Sequence, residues 1–131
     1  MSGDLKPADL PGAWNEKFYQ MFGLTPPDDT RGCLQDIHWS FGGIGYFPTY
    51  TLGNLYAAQL MAAARKQLSG LEDDFARGEF GRLKTWLNEN VHRPGRSYRS
   101  EELCRRVTGE GLRHSPLIDY LRDKFGRLYD V

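Results

Sequence analysis

The chain has no apolar run long enough to span a bilayer, which excludes a membrane-spanning helix. It has no net charge: Lys+Arg and Asp+Glu balance at 17 each. Nothing in the bulk charge therefore draws it to nucleic acid or to an anionic membrane surface. Cysteine is nearly absent. Cys33 and Cys104 cannot make a disulfide framework, and in a reducing compartment they are expected as buried thiols. The opening "MSGDLKPADL" lacks the apolar core of a signal peptide, which predicts a cytoplasmic protein. Alternating strand patterns are missing too, with "GYF" (45–47) the one candidate for a minimal strand. There is no internal repeat and no low-complexity tract.

What is present is helical. The 131 residues, 40% apolar and 26% charged, fit a single domain over 1–131 with one core. Leu10, Trp14, Phe18 and Met21 form one apolar stripe, opened by Pro11 and stopped by Gly23. "TRGCLQDIHWS" (30–40) can form a short helix capped at Asp29 or Thr30. A glycine-rich loop (about 40–48) cannot continue it, and Pro48 blocks it further. Thr49 then suits the N-cap of the longest helix, with Leu52, Leu55, Tyr56, Leu60 and Ala63 on one face and further alanines widening it. Shorter helices follow: one ends at Gly78, one carries Phe80, Leu83, Leu87 and Val91 with Trp86 beside them, and one runs from Ser100 to Gly109. Ser115–Pro116 opens the last. The expected fold is all-α, an irregular bundle of about six helices.

The stretch "DIHWSFGGIGYFPTY" (36–50) stands out because it combines acid, imidazole, aromatic rings and flexible backbone. In a helical turn Gln35, His38 and Trp39 share a face, while Asp36 points elsewhere. Tyr46 and Tyr50 add hydroxyls, Tyr46 being the better candidate for a functional role. "GGIG" lacks the preceding strand and the following Lys-Ser/Thr of a phosphate loop. The spacings of Cys33, Asp36 and His38, and of Cys104 with His92 or His114, match no standard zinc pattern, and Cys33 has no evident partner set for nucleophilic catalysis. The arginine run Arg93, Arg96, Arg99, Arg105, Arg106 and Arg113 is interrupted by Glu101, Glu102 and Glu110, as a salt-bridged helix face would be.

"GCLQDIHW" (32–39) matches a Gly-x-x-Gln-Asp-x-His-Trp motif, and "GYFPTYTLGN" (45–54) continues it. With "DLPGAWNEKF", "HRPGRSY", "RRVTGEGL" and "YLRDKFGRLY" in order, the whole chain resembles the C-terminal quarter of the carboxypeptidase Taq family of zinc metallocarboxypeptidases. The resemblance implies a zinc cofactor in the full-length family, bound by His-Glu-x-x-His and a later glutamate. This chain has only His38, His92 and His114, with no pair four residues apart. No metal ligand and no catalytic residue is therefore assigned to it.

By that resemblance, Gln35, Asp36, His38, Trp39, Tyr46 and Tyr50 are candidates for one wall of a substrate groove. Gln35 and His38 would meet a peptide backbone or C-terminal carboxylate, and Trp39 would form a wall. The alternative is structural: Asp36 and His38 tie down the glycine loop, and Trp39 sits in the core. The expected function is a carboxypeptidase-related module that is inactive alone, beginning with its own methionine. Two further possibilities are half of a split enzyme completed by a separate catalytic chain, and a small RNA-binding module using the arginine run. Expected partners are a peptide C-terminus and either a catalytic partner chain or a second copy, joined through the alanine-rich helix. Neither a membrane nor a nucleic acid is the expected partner.

Overall fold

Proline and glycine punctuate the chain where its helices begin and end. The structure, a computed structural model, describes residues 3–129. It is all-α: six α-helices, joined by short 3-10 turns and one π turn, with no strand among the described residues. "GYF" is accordingly not a strand. It falls in a series of turns over residues 42–48, where Gly42 and Gly45 take positive φ (79° and 78°) and break any extended pairing. The chain divides into two compact units, residues up to Pro48 and residues from Thr49 on.

The first unit is built on α1 (Leu10–Phe22). Pro11 lies in its first turn, and Gly23 ends it, donating its N–H to the Tyr19 carbonyl at 2.8 Å. The expected stripe holds for Leu10, Trp14 and Phe18, which are half-buried, but Met21 is 72% exposed. The expected helix over 30–40 is not one helix. It is three 3-10 turns, Asp29–Arg31, Cys33–Gln35 and Ile37–Phe41. Two residues break it. At Gly32 a Cβ would lie 3.1 Å from both the Asp28 carbonyl oxygen and Pro26 Cβ, so the chain folds back too tightly for a helix. Asp36 is extended (φ −80°, ψ 97°). The cap is Asp28, whose carboxylate accepts the Arg31 N–H at 2.9 Å.

The second unit holds α2 (Thr49–Gln67), α3 (Leu71–Ala76), α4 (Gly81–Leu87), α5 (Ser100–Thr108) and α6 (Ser115–Tyr129). A π turn, Asn88–His92, prolongs α4. The core is Ala63 and Ala64 of α2, Leu71 of α3, Trp86 of α4 and Val107 of α5, surrounded by Leu60, Met61, Leu68, Phe75 and Leu83. Alanine at the centre lets helix backbones approach closely, and burying a side chain as large as Trp86 contributes about 3 kcal/mol. On α4 Trp86 is buried and the expected Leu83 and Leu87 pack against the core with it, whereas Phe80, just before the helix, is 59% exposed.

Two glutamines of α2, two turns apart, close this core. Gln67 accepts the Trp86 indole N–H at 2.8 Å and donates to the Val107 carbonyl. Gln59, 5% exposed, donates to Thr108 Oγ1 and to the Gly111 carbonyl, and accepts the Arg113 N–H at 2.8 Å. The buried Asp74 carboxylate is held by Arg77 and Arg82, each at 2.7 Å. Cys33 and Cys104 are buried free thiols. No helix among the described residues is long and apolar enough to cross a membrane.

Candidate functional site

The 3-10 turn Ile37–Phe41 and the turns after it arrange the candidate residues of the first unit. Because Asp36 is extended at the start of that turn, its carboxylate folds over the turn instead of pointing away. Oδ1 accepts the His38 backbone N–H at 3.0 Å and lies 2.6 Å from His38 Nδ1. This corrects the expectation that Asp36 faces elsewhere: a 3-10 turn with an extended residue before it does not obey helical spacing. Both side chains are shielded, 14% and 12% exposed.

Burial pushes the Asp36 carboxyl up. The hydrogen bonds from the His38 ring and backbone, with the attraction of the ring's positive charge, outweigh it and leave the pKa below 3.8. At neutral pH Asp36 is therefore an ionised acceptor, which fixes the orientation of the imidazole.

Aromatic rings surround that imidazole. Phe41, Tyr46 and Phe47 have ring centroids 5.4, 5.3 and 5.6 Å from it. All three are more than half exposed. The loop reaches this shape through Gly43, whose N–H donates to the His38 carbonyl at 2.7 Å. A Cβ on Gly43 would stand 2.9 Å from Phe41 Cε2 and 3.2 Å from that carbonyl. Phe41 and Phe47 were missed as site residues in the sequence. Their signal was an aromatic three residues after His38 and another just after Tyr46.

Within the first unit, Gln35 and Trp39 make other contacts. Gln35 lies in the preceding 3-10 turn, is exposed, and donates its side-chain amide to the Thr30 carbonyl. It does not share a helical face with His38. Trp39 is half-buried and meets Trp14 of α1 edge-on at 6.0 Å. Tyr50 belongs to the first turn of α2 in the second unit and is 53% exposed.

Zinc, the metal the family resemblance implies, needs three convergent protein ligands. Among the described residues no three His, Cys, Asp or Glu side chains stand where they could hold one metal ion. Nor does the arginine run form an unbroken basic face. Arg105, Arg106 and Arg113 pair with Glu101, Glu102 and Glu110, and Arg106 lies over the Tyr98 ring at 4.0 Å. An RNA-binding role finds no support in that arrangement.

Comparison with known proteins agrees with the motif. The family model described as carboxypeptidase Taq (M32) metallopeptidase matches residues 1–125. Thermostable carboxypeptidase 1 of Thermus thermophilus is 47% identical over 127 residues, which cover 97% of this chain and 25% of that protein. Carboxypeptidase 1 of Bacillus subtilis is 42% identical over 128 residues, covering 98% and 26%. The crystal structure of the M32 carboxypeptidase from Deinococcus radiodurans R1 superposes with a TM-score of 0.94 at 49% identity, over 99% of this chain and 26% of that one. The chain thus spans about a quarter of the length of the relatives it matches, in their C-terminal part. It belongs to the carboxypeptidase Taq (M32) metallopeptidase family.

Proposed function

We propose that this chain is a peptide-binding module of a Taq-type carboxypeptidase: it forms one wall of the substrate groove and does not cut peptides by itself. The observation that supports it is the Asp36–His38 pair, shielded yet ringed by the exposed Phe41, Tyr46 and Phe47. With Nδ1–H donating to the ionised Asp36, the other ring nitrogen, Nε2, accepts from a substrate N–H when the imidazole is neutral and donates to a substrate oxygen only when the ring is protonated. The Tyr46 hydroxyl is a donor for a carboxylate or a peptide carbonyl. Gln35 and Trp39 play lesser parts, because their side chains serve Thr30 and Trp14.

Catalysis then requires a zinc-bearing partner. The relatives, named carboxypeptidases, are about four times as long as the stretch they share with this chain. In this reading the partner is a separate catalytic chain, as in a split enzyme. Without that partner, a second copy covers the apolar surface of α2. A cytoplasmic setting is part of the proposal, consistent with two buried free thiols.

The test is an NMR titration with a short peptide bearing a free C-terminal carboxylate, beside its C-terminally amidated form. The expected result is weak binding of the free acid, with shift changes concentrated at residues 32–47. Equal binding of the amide removes the carboxylate role. If neither peptide binds, Asp36 and His38 serve only to tie down the glycine loop.

A further inference from the structure

The arginine run divides into two sets. Arg105, Arg106 and Arg113 are each held by a glutamate. Arg93, Arg96 and Arg99 are exposed, and none of the three has an ion-pair partner among the described residues. Glu89 stands four residues before Arg93, yet no ion pair joins them.

The fold keeps these three together. The π turn Asn88–His92 approaches α5, and residues 93–99 make the return between them. A 3-10 turn, Gly95–Ser97, folds the segment back, with the Ser97 N–H donating to the Pro94 carbonyl at 3.0 Å. Successive arginines are three residues apart, so their Cα atoms lie within about 11 Å of each other. An extended partner strand repeats its side chains on one face every ~7 Å, a spacing that can serve all three.

The charge here is lopsided. Residues 93–106 carry five arginines and two glutamates, a local charge of +3 (5 − 2), in a chain whose net charge is zero. Both glutamates are engaged by Arg105 and Arg106, so the excess rests on the turn.

The surroundings select among anionic partners. A single-stranded nucleic acid is held by aromatic faces on which its bases stack. Tyr98, the sole aromatic of residues 93–106, is half-buried with the Arg106 guanidinium over its ring at 4.0 Å. An anionic membrane surface is held by basic residues beside an exposed apolar face. Pro94 and Tyr98, the bulky apolar residues of the turn, are half-buried. Carboxylates need neither feature, because a guanidinium fork takes a carboxylate through two parallel hydrogen bonds.

We propose that the turn 93–99 is a docking surface for an acidic segment of another protein, whose Asp and Glu carboxylates pair with Arg93, Arg96 and Arg99. It is independent of the peptide-groove reading, since the turn lies wholly in the second unit.

The probe is a fluorescent, C-terminally amidated peptide of about ten glutamates, read by anisotropy; the amide removes the free carboxylate that the groove reading invokes. The expected result is binding that weakens as salt rises and that the triple variant Arg93→Gln, Arg96→Gln, Arg99→Gln reduces at least about tenfold. A charge-matched control, Lys6→Gln, Lys84→Gln, Arg122→Gln, removes three exposed cations elsewhere that also lack ion pairs. It should stay within about twofold of the native chain. Circular dichroism should be unchanged in both variants.

Equal weakening by the two triples means that only net charge matters and overturns the proposal. So does absence of binding to the native chain. Tighter binding of an oligouridine of the same length, or of phosphatidylserine vesicles, assigns the turn to a different polyanion and overturns it as well.

Discussion

His38 Nδ1 lies 2.6 Å from Oδ1 of Asp36, and the same carboxylate oxygen accepts the His38 backbone N–H at 3.0 Å. One oxygen thus fixes both the ring and the main chain two residues on. The consequence for pH has a definite sign. The folded pKa of Asp36 lies below its ordinary 3.8. Its contribution to stability is therefore fully present above 3.8 and is lost as the pH falls through the lower, folded value. Asp36→Asn keeps an acceptor for the backbone N–H and removes only the charge. It should unfold at a lower temperature than the native chain at about pH 6, with the gap closing towards about pH 2. Thermal unfolding by circular dichroism across that range is the measurement. A gap independent of pH would mean the carboxylate charge does nothing for the fold.

The same residues mark how far the sequence could be read. Long elements were legible, because Pro11, Gly23, Gly109 and Ser115–Pro116 punctuate regular apolar spacing, and the helices begin and end there or within a residue. The stretch 29–41 was not, because the tight approach at Gly32 depends on Asp28 and Pro26, contacts that no periodicity announces. That one turn changed the site. Asp36 moved onto His38, and Gln35 left the face it was expected to share. In the second unit the clamp by Gln59 was equally hidden, since its partners lie about fifty residues on. The candidacy of 32–50 as a groove wall comes from the motif resemblance, which spacing alone does not provide.

Gln59 gives a prediction of its own. Gln59→Leu keeps roughly the size of the side chain while leaving the Gly111 carbonyl and the Arg113 N–H without their buried partner. Stranding those groups should cost about 2–4 kcal/mol, read as a lower urea midpoint. Amide exchange at Arg113 should accelerate more than exchange in α3, because the loss is local to the α5–α6 connection. Unchanged exchange at Arg113 would mean the loop does not need the clamp.

Two glycines should respond to alanine with opposite sign. At Gly43 the new methyl would meet Phe41 Cε2 at 2.9 Å and the His38 carbonyl at 3.2 Å. The exposed Phe41 ring can swing aside, but the carbonyl is main chain and already accepts the Gly43 N–H. Gly43→Ala should cost about 1–2 kcal/mol and shift the His38 ring resonances. Gly12, inside α1, has nothing within 4 Å of an added Cβ. Gly12→Ala should stabilise by about 0.5–1 kcal/mol, because alanine lowers the entropy lost on helix formation. Chemical denaturation of both variants decides the pair, and equal signs would count against this account of the loop.

The remaining prediction is that the chain by itself releases no C-terminal amino acid from peptides. Hydrolysis of a peptide bond at neutral pH requires an activated nucleophile, in zinc peptidases a water whose pKa the metal lowers to about 7. Holding that metal takes three convergent ligands, with a carboxylate at hydrogen-bond distance from the water. His38, His92 and His114 are 54 and 22 residues apart along the chain (92 − 38 and 114 − 92). His38 Nδ1 is committed to Asp36, and the His92 ring pairs with Asn88 at 2.9 Å. The aromatic setting of His38 can orient a peptide, but orientation without a nucleophile leaves the bond intact. The measurement is incubation of the purified chain with zinc or cobalt and a panel of peptides, followed by analysis for free amino acid. The expected release is no greater than in protein-free controls. Release that a chelator stops and that His38→Ala abolishes would require a metal site built around His38, and would overturn both this prediction and the assignment of catalysis to a partner.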